Sequence, residues 1–404
     1  MAKIVAVSNT PMAPTGYGTQ IAQLGLRALA AGHDFSVAAN YGAPVNMEWN
    51  GIKIYAEGLL KYANDSGPEN IALAAREPGA FGLTLFDVWT GVADAWHELP
   101  LVCWVPVDHS PVPRRVAEWC IKGGNKYIVA MSKNGEQLLL EAGVPRDRLT
   151  YIPHAIDRSI WNADVQPVRD LLRVPEDAHL TIITAMNKGK RKSFPEMLHA
   201  WTMFAAIHKD AYLYLHTDKW GHMDGINLIP LLKSLNAPED RIRWVNSVQM
   251  RAGVPAEMVA RLMRSADVLL LASRSEGFGL PVIEAQAVGT PVIVSNHTAQ
   301  PELVRDHGQV VKGQIHWEDF HESFAMIPNV IEIYQALCEN YEDTARGTVD
   351  RARLAATMDE YDADKVYKEK WEPLFQSIES GKIRLGVPTP EPQPVNRAAR
   401  RAKK

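Results

Sequence analysis

Two glutamates eight positions apart, Glu276 and Glu284, bracket the segment of the chain best equipped for chemistry. The stretch from Ser265 to Ile293 reads SADVLLLASRSEGFGLPVIEAQAVGTPVI. Its short apolar run, Val268–Leu271, has the pattern of a buried strand, and the loop 272–279 follows. A helix is expected from Leu280 or Pro281, because proline suits a first helical turn whose N–H groups lack partners. Free amides and the positive end of a helix dipole make that turn an anion site, and the loop glycines let a ligand approach the backbone. Phosphates held there would leave Glu284, about one turn into the helix, beside an adjoining ribose. Glu276 would then face whatever group the phosphates carry. A carboxylate accepts two hydrogen bonds, which suits paired hydroxyls. On these residues alone, an ordinary strand–helix loop with solvated glutamates is the competing reading.

Three other clusters could take part. The run Lys188-Gly189-Lys190-Arg191-Lys192 follows another buried strand, Leu180–Ala185, where it is either a phosphate clamp or a solvated basic loop. Asp108-His109 follows the apolar run Val102–Val107, and Asp108 could orient the imidazole. Gly16-Tyr17-Gly18 is half of a dinucleotide fingerprint. The third glycine position is Ile21, and the second strand ends at Asn40 rather than at an acid, which disfavours a nicotinamide cofactor. Asp362-Ala363-Asp364 spells a metal-binding D-x-D, but it opens a helix, where acids suit the dipole. Cys103, Cys120 and Cys338 form neither a disulfide framework nor a zinc knuckle, no metal site is expected, and a reducing cytoplasm is the natural setting.

The elements that must position these residues are legible as alternating strands and helices. Ile4–Val7, Phe35–Ala39, Ile52–Tyr55, Leu83–Phe86, Val102–Val107 and Tyr127–Ala130 read as strands in the first half. Leu180–Ala185, Tyr212–His216, Ile242–Val245, Val268–Leu271 and Val292–Val294 repeat the theme. Continuous Val/Ile/Leu runs mark parallel strands covered on both faces, hence an α/β fold of two doubly wound sheets facing across a cleft. The rhythm pauses between about Asp157 and Asp177, where the domain boundary is expected. The 404 residues suffice for two domains, and 46% apolar content excludes wholesale disorder. No apolar run reaches the ~18 residues of a membrane span. The net charge of −4 hides a tail, residues 388–404, with five basic residues and one acid; it carries +4 and leaves −8 for the rest. Its proline alternation and basic run read as disordered, either without a role or weakly attracted to nucleic acid or an anionic surface.

The segment around Glu276 and Glu284 resembles the glutamate–seven residues–glutamate motif of retaining glycosyltransferases with the GT-B fold, particularly glycosyltransferase family 4. The likeness takes in the A-D-V strand, the S-E-G-F-G-L-P loop and the G-T-P-V-I strand. Ala31-Gly32-His33, Val129-Ala130-Met131-Ser132 with Gly143-Val144, Tyr151–Asp157 (YIPHAID) and Pro301-Glu302-Leu303-Val304 resemble other family segments in the family's order. The likeness covers about residues 2–375. It implies a first domain over 1–165 on the acceptor side, a donor domain over 166–360, and a helical segment over 361–387 crossing back to the first domain.

The resemblance further implies roles. Glu284 binds the donor ribose, Glu276 the transferred sugar, and the amides of Phe278, Gly279 and Leu280 meet phosphate or sugar. His109 faces the sugar from the first domain, and Gly16 and Gly18 stand near the family's glycine pair. Where the family has an arginine for the diphosphate, this chain has Asn187. Lys192 falls in place of the family's lysine, so Arg191 or Lys188 would supply the missing cation. The expected activity is retaining transfer from a nucleotide-diphosphate sugar, UDP- or GDP-linked, to a hydroxyl of a glycan, lipid, protein or modified nucleic acid, with no cofactor. A sugar-nucleotide epimerase or phosphorylase on the same fold, or a binding protein without turnover, are the alternatives.

Overall fold

The computed structural model describes residues 1–386 except Met223; the basic tail 388–404 lies outside the described residues. Among them, two parallel sheets and one antiparallel hairpin form the β-structure. The first sheet contains β1 (Lys3–Asn9), β2 (Asp34–Tyr41), β3 (Met47–Trp49), β4 (Ile52–Tyr55), β5 (Phe81–Thr84), β6 (Leu101–Val105), β7 (Lys126–Ala130) and β8 (Leu149–Tyr151). Their spatial order is β3-β4-β2-β1-β5-β6-β7-β8, and only the short edge strand β3 runs antiparallel to its neighbour. The second sheet contains β9 (His179–Thr184), β10 (Ala211–His216), β11 (Ile242–Trp244), β12 (Val268–Leu271), β13 (Val292–Ser295) and β14 (Gln309–Val311), in the order β11-β10-β9-β12-β13-β14. The hairpin pairs β15 (Gly313–Glu318) with β16 (Ser323–Pro328).

The side chains explain the layers. Alternate residues of β1 serve two cores: Ile4 and Ala6 belong to one apolar cluster, Val5 and Val7 to another on the opposite face. Both faces are therefore covered, which is why the strands read as unbroken apolar runs. The first cluster continues without interruption into the second sheet, through Ile152 and Ile156 to Leu180, Leu269 and Val282.

Each sheet has a point where strand order reverses direction. In the first it lies between β1 and β5, in the second between β9 and β12. Loops leaving the carboxyl ends of those strands diverge to opposite sides and open a crevice, the usual ligand position in doubly wound sheets. The segments singled out for chemistry leave from these ends: Gly16–Gly18 after β1, Lys188–Lys192 after β9, and Glu276 after β12.

The chain ends its described course on the first sheet. Asp362 caps the helix Ala363–Val366 by accepting from the amides of Asp364 and Lys365, and the helix runs through a π turn, Tyr367–Trp371, into Glu372–Glu379. Phe375 packs against Phe81 and His33, with ring centroids 5.8 and 5.5 Å away, and Trp371 meets Trp104 at 4.8 Å. Ion pairs join Arg27 to Asp364 at 2.7 Å and the N-terminus to Glu379 at 2.8 Å. The D-x-D acids are thus a helix cap and a partner of Arg27.

Differences from the sequence reading are local. The strand expected at Leu83–Phe86 lies at Phe81–Thr84, because its register is set by pairing of Gly82 with Leu101 and of Phe81 with Ile4. The short strands β3, β8 and β14 and the hairpin were not anticipated. β15 is almost wholly exposed, so it lacks the apolar run that identified the others. Among the described residues no helix is long and apolar enough to cross a membrane.

Phe375→Ala empties a fully buried site where the last helix meets the first sheet. The expected cost is about 3–5 kcal/mol of folding stability, read as a lower urea midpoint at an unchanged slope.

Candidate active site

The loop after β12 is tightly constrained. Gly279 caps the helix Leu280–Ala287 with φ at +112°, a left-handed conformation that glycine adopts without strain, and Pro281 sits in the first turn. A Cβ on Gly277 would lie 3.0 Å from the Pro106 side chain, so this loop presses against the loop after β6. A Cβ on Gly16 would lie 3.3 Å from Leu280, a second close approach across the crevice. Phe278 is buried, its ring 5.2 Å from that of His154 and 6.0 Å from that of Tyr361. Its ring therefore anchors the loop while the backbone carries the turn.

Glu276 is buried and accepts from two cations of the loop after β9. The Arg191 guanidinium reaches its Oε2 at 2.8 Å and also donates to the Ser275 carbonyl at 2.9 Å; the Lys192 ammonium bonds its Oε1. Burial alone would raise the Glu276 pKa, but Lys192 and Arg191 outweigh it and hold the carboxyl at about 2. Lys192 is lowered to about 8 by burial and by neighbouring Arg191, against the pull of Glu276. The two loops are pinned by the backbone as well, since the Arg274 amide donates to the Arg191 carbonyl at 2.8 Å. The Thr298 hydroxyl accepts from the Glu276 amide at 3.1 Å.

Asn187 is placed differently from its expected role. Its amide nitrogen donates to the carbonyls of Asp218 and Ile226 at 2.7 and 2.6 Å, and its oxygen accepts from the Ile226 amide at 2.9 Å. The side chain is buried and engaged in holding the 218–226 loop. The cation beside Glu276 is Arg191, four positions further along. Lys188 is exposed and makes no ion pair among the described residues; Arg191, of the two candidates named for the missing cation, is the one brought to the glutamate.

Glu284, within the helix, is the counterpart with no ion pair among the described residues. Desolvation raises its pKa to about 7, with no charged partner to offset the burial. The two environments therefore push the two carboxyls apart: charged partners lower Glu276 and desolvation raises Glu284.

The first sheet contributes from the other side of the crevice. His109 is buried and its Nδ1 donates to Asp108 at 2.7 Å; burial would raise Asp108, but His109, Arg191 and His321 bring it to about 2. The imidazole of His321, from the hairpin turn, lies 4.3 Å from that of His109. Tyr17 donates to Asp87 at 2.9 Å, joining the loops after β1 and β5 at the switch point. Gly18 faces inward: a Cβ there would meet the carbonyls of Ala13 and Thr10 at 2.5 and 2.7 Å, so this glycine closes the turn before the helix Gly16–Ala30. Asp87, Thr298 and His321 carry no spacing signal in the sequence, since each is a common residue outside regular elements, and Tyr17 stands there only as the spacer between Gly16 and Gly18. Among the described residues no cluster of His, Cys, Asp or Glu forms a metal site.

Residues 243–340 match the family model described as glycosyl transferases group 1. A search of curated proteins by sequence returns no match. Among solved structures, HepE from Anabaena in complex with UDP-glucose is similar over 93% of this chain and 99% of its own, with a TM-score of 0.69 at 15% identity. A sucrose-phosphate synthase from Thermosynechococcus elongatus aligns over 94% of this chain and 100% of its own, TM-score 0.71, 17% identity. A glycosyltransferase from Rickettsia africae covers 93% and 98%, TM-score 0.68, 15% identity. The fold is thus GT-B: two doubly wound sheets, as the sequence pattern implied.

The Glu284 environment yields a pH signature. Its folded pKa of about 7 exceeds the ordinary 4.5. Below pH ~4.5 both states hold the proton and burial costs nothing. As pH rises through that range, the unfolded chain releases the proton first, so stability falls until the folded group has also ionised near 7. Glu284→Gln removes this penalty. Its melting temperature should exceed that of the wild type by a few degrees at pH 8 and coincide with it near pH 4.5, measured by scanning calorimetry. A pH-independent offset would contradict the assignment.

Proposed function

We propose that the chain is a retaining glycosyltransferase of the family 4 type, moving a sugar from a UDP- or GDP-linked donor to an acceptor hydroxyl. The observation that carries the reading is the ionised Glu276, gripped by Lys192 and Arg191 beside a glycine-capped helix N-terminus at the switch point of the second sheet. A leaving diphosphate develops negative charge as the glycosidic bond breaks, and cations already placed beside the site stabilise that charge. In this scheme Lys192 and Arg191 exchange part of their hold on Glu276 for the diphosphate, and the amides of Phe278, Gly279 and Leu280 meet phosphate or sugar. Glu276 accepts from hydroxyls of the transferred sugar and Glu284 from the ribose, which draws Glu284 towards its ionised form. His109, oriented by Asp108, faces the sugar from residues 1–165, the proposed acceptor-side domain; residues 166–360 form the proposed donor domain.

The UDP and UDP-glucose complexes of the HepE relatives support the donor class. Retention rests on the resemblance of the Glu276–Glu284 segment to the motif of retaining enzymes: donor and acceptor would react on one face of the sugar, the diphosphate taking the acceptor proton. Catalysis is then positioning plus charge stabilisation. The alternative of a binding protein without turnover gains its support from Asn187 standing where the family has a diphosphate arginine. With that side chain engaged in loop packing and Arg191 standing at Glu276, the support weakens.

The test is a thermal-shift panel of nucleotide sugars followed by kinetics. A donor at 100 times its Kd should add about 2.7 kcal/mol of stability. Glu276→Gln should lower kcat by about 10²–10³-fold. NMR of the first-formed product should show the donor's anomeric configuration. Near-normal turnover in Glu276→Gln, or an inverted anomer, would overturn the reading.

A further inference from the structure

Beside the Glu276 loop lies an open cavity of about 530 Å³, with Ser110, Asn134, His297, Glu302, Ile315 and Phe324 among its walls. That volume is within the ~300–1,000 Å³ of small-molecule sites. We propose that it is the acceptor subsite and that it takes an uncharged saccharide ring; the proposal deepens the transferase reading and rests on it for what is done to that saccharide.

The chemistry of the walls selects the occupant. The residues that line the cavity include no lysine or arginine. The Glu302 carboxylate is already satisfied by the amides of Lys133 and Asn134, at 2.9 and 2.8 Å, at the start of the helix Lys133–Glu141. A phosphorylated acceptor or a nucleic acid would bring anionic oxygens to a wall without a cation to meet them. Beside that satisfied carboxylate the wall offers neutral groups: a serine hydroxyl, asparagine amides and an imidazole.

Phe324 and Ile315 supply apolar lining. Trp317 is directly opposed to Phe324 in the hairpin and projects on the same face, so it extends that apolar surface beside the cavity. Their rings meet edge-on at 5.1 Å, and Trp317, Phe324 and Ile315 stay 45, 37 and 54% exposed. A pyranose has an apolar C–H face and a hydroxyl edge, and this cavity combines the Phe324 ring and Ile315 with hydrogen-bonding groups. Continuity with the donor side runs through Thr298, which also lines the cavity and donates to the Glu276 carbonyl at 2.9 Å.

The test uses the full chain. Saturation-transfer NMR titrations with maltotriose, cellotriose and chitotriose are set against glucose 6-phosphate and a short single-stranded oligonucleotide. At least one trisaccharide should bind. Phe324→Ala and the solvent-facing Ile315→Ala should each weaken it about tenfold. In transfer assays the same substitutions should raise the acceptor KM by a similar factor with the donor KM unmoved. Trisaccharide binding lost in both variants, without nucleotide-sugar turnover, would keep the subsite and remove the transferase reading. Binding of none of the trisaccharides, binding unaltered in both variants, or transfer to only the phosphorylated or nucleic-acid acceptor would overturn the subsite.

Discussion

The buried carboxylate of Glu276 is the constraint on which the site depends. An ionised group out of water is costly unless charged partners replace its hydration. Here Lys192 and Arg191 do so, and both come from a different strand's loop. The loops after β9 and β12 must therefore be held in register to within hydrogen-bonding distance. Backbone contacts between Arg274 and Arg191, the Arg274–Glu196 ion pair at 3.0 Å, and the Thr298 clasp supply that rigidity. Adjacent strands β9 and β12 provide it at the coarser level, because their parallel pairing sets the carboxyl ends from which the two loops leave next to each other.

The same logic governs how the two sheets meet. The crevice is bordered by close approaches that leave little room for larger side chains, at Gly16 against Leu280 and Gly277 against Pro106. Around them, polar clasps replace water: Glu302 on the amides that open the helix Lys133–Glu141, Gln20 exchanging hydrogen bonds with the Ala155 backbone, and Ser323 on the Pro111 carbonyl. The hairpin adds Phe320 against Trp89 and His321 against His109. Such contacts are directional and few, in contrast to the continuous apolar core beneath. They fix one arrangement of the crevice at modest energetic cost, which suits a surface that must admit a ligand.

Much of this was legible from residue order alone. Val268–Leu271 is a strand at those very residues because four consecutive large apolar side chains need cover on both faces. The helix begins at Leu280 because glycine precedes it and proline follows. The hairpin escaped notice for the converse reason: β15 packs little of its surface, so its sequence carries no burial pattern. Asn187 was read by its place in a motif, yet its environment gives it three backbone partners from a loop some 30–40 residues away. No spacing rule contains that information.

The sequence by itself determined the fold class, most strand positions, and the loop–helix turn with its two glutamates, since these follow from local apolar periodicity and turn chemistry. Tertiary structure decided which charges meet. It set Arg191 rather than Lys188 or Asn187 beside Glu276, left Glu284 without an ion pair among the described residues, and brought Asp108, His109 and His321 together. The reason is physical: local pattern acts over a few residues, whereas desolvation and ion pairing depend on distances in space. Those distances exist only once the strands have taken their order in the sheet.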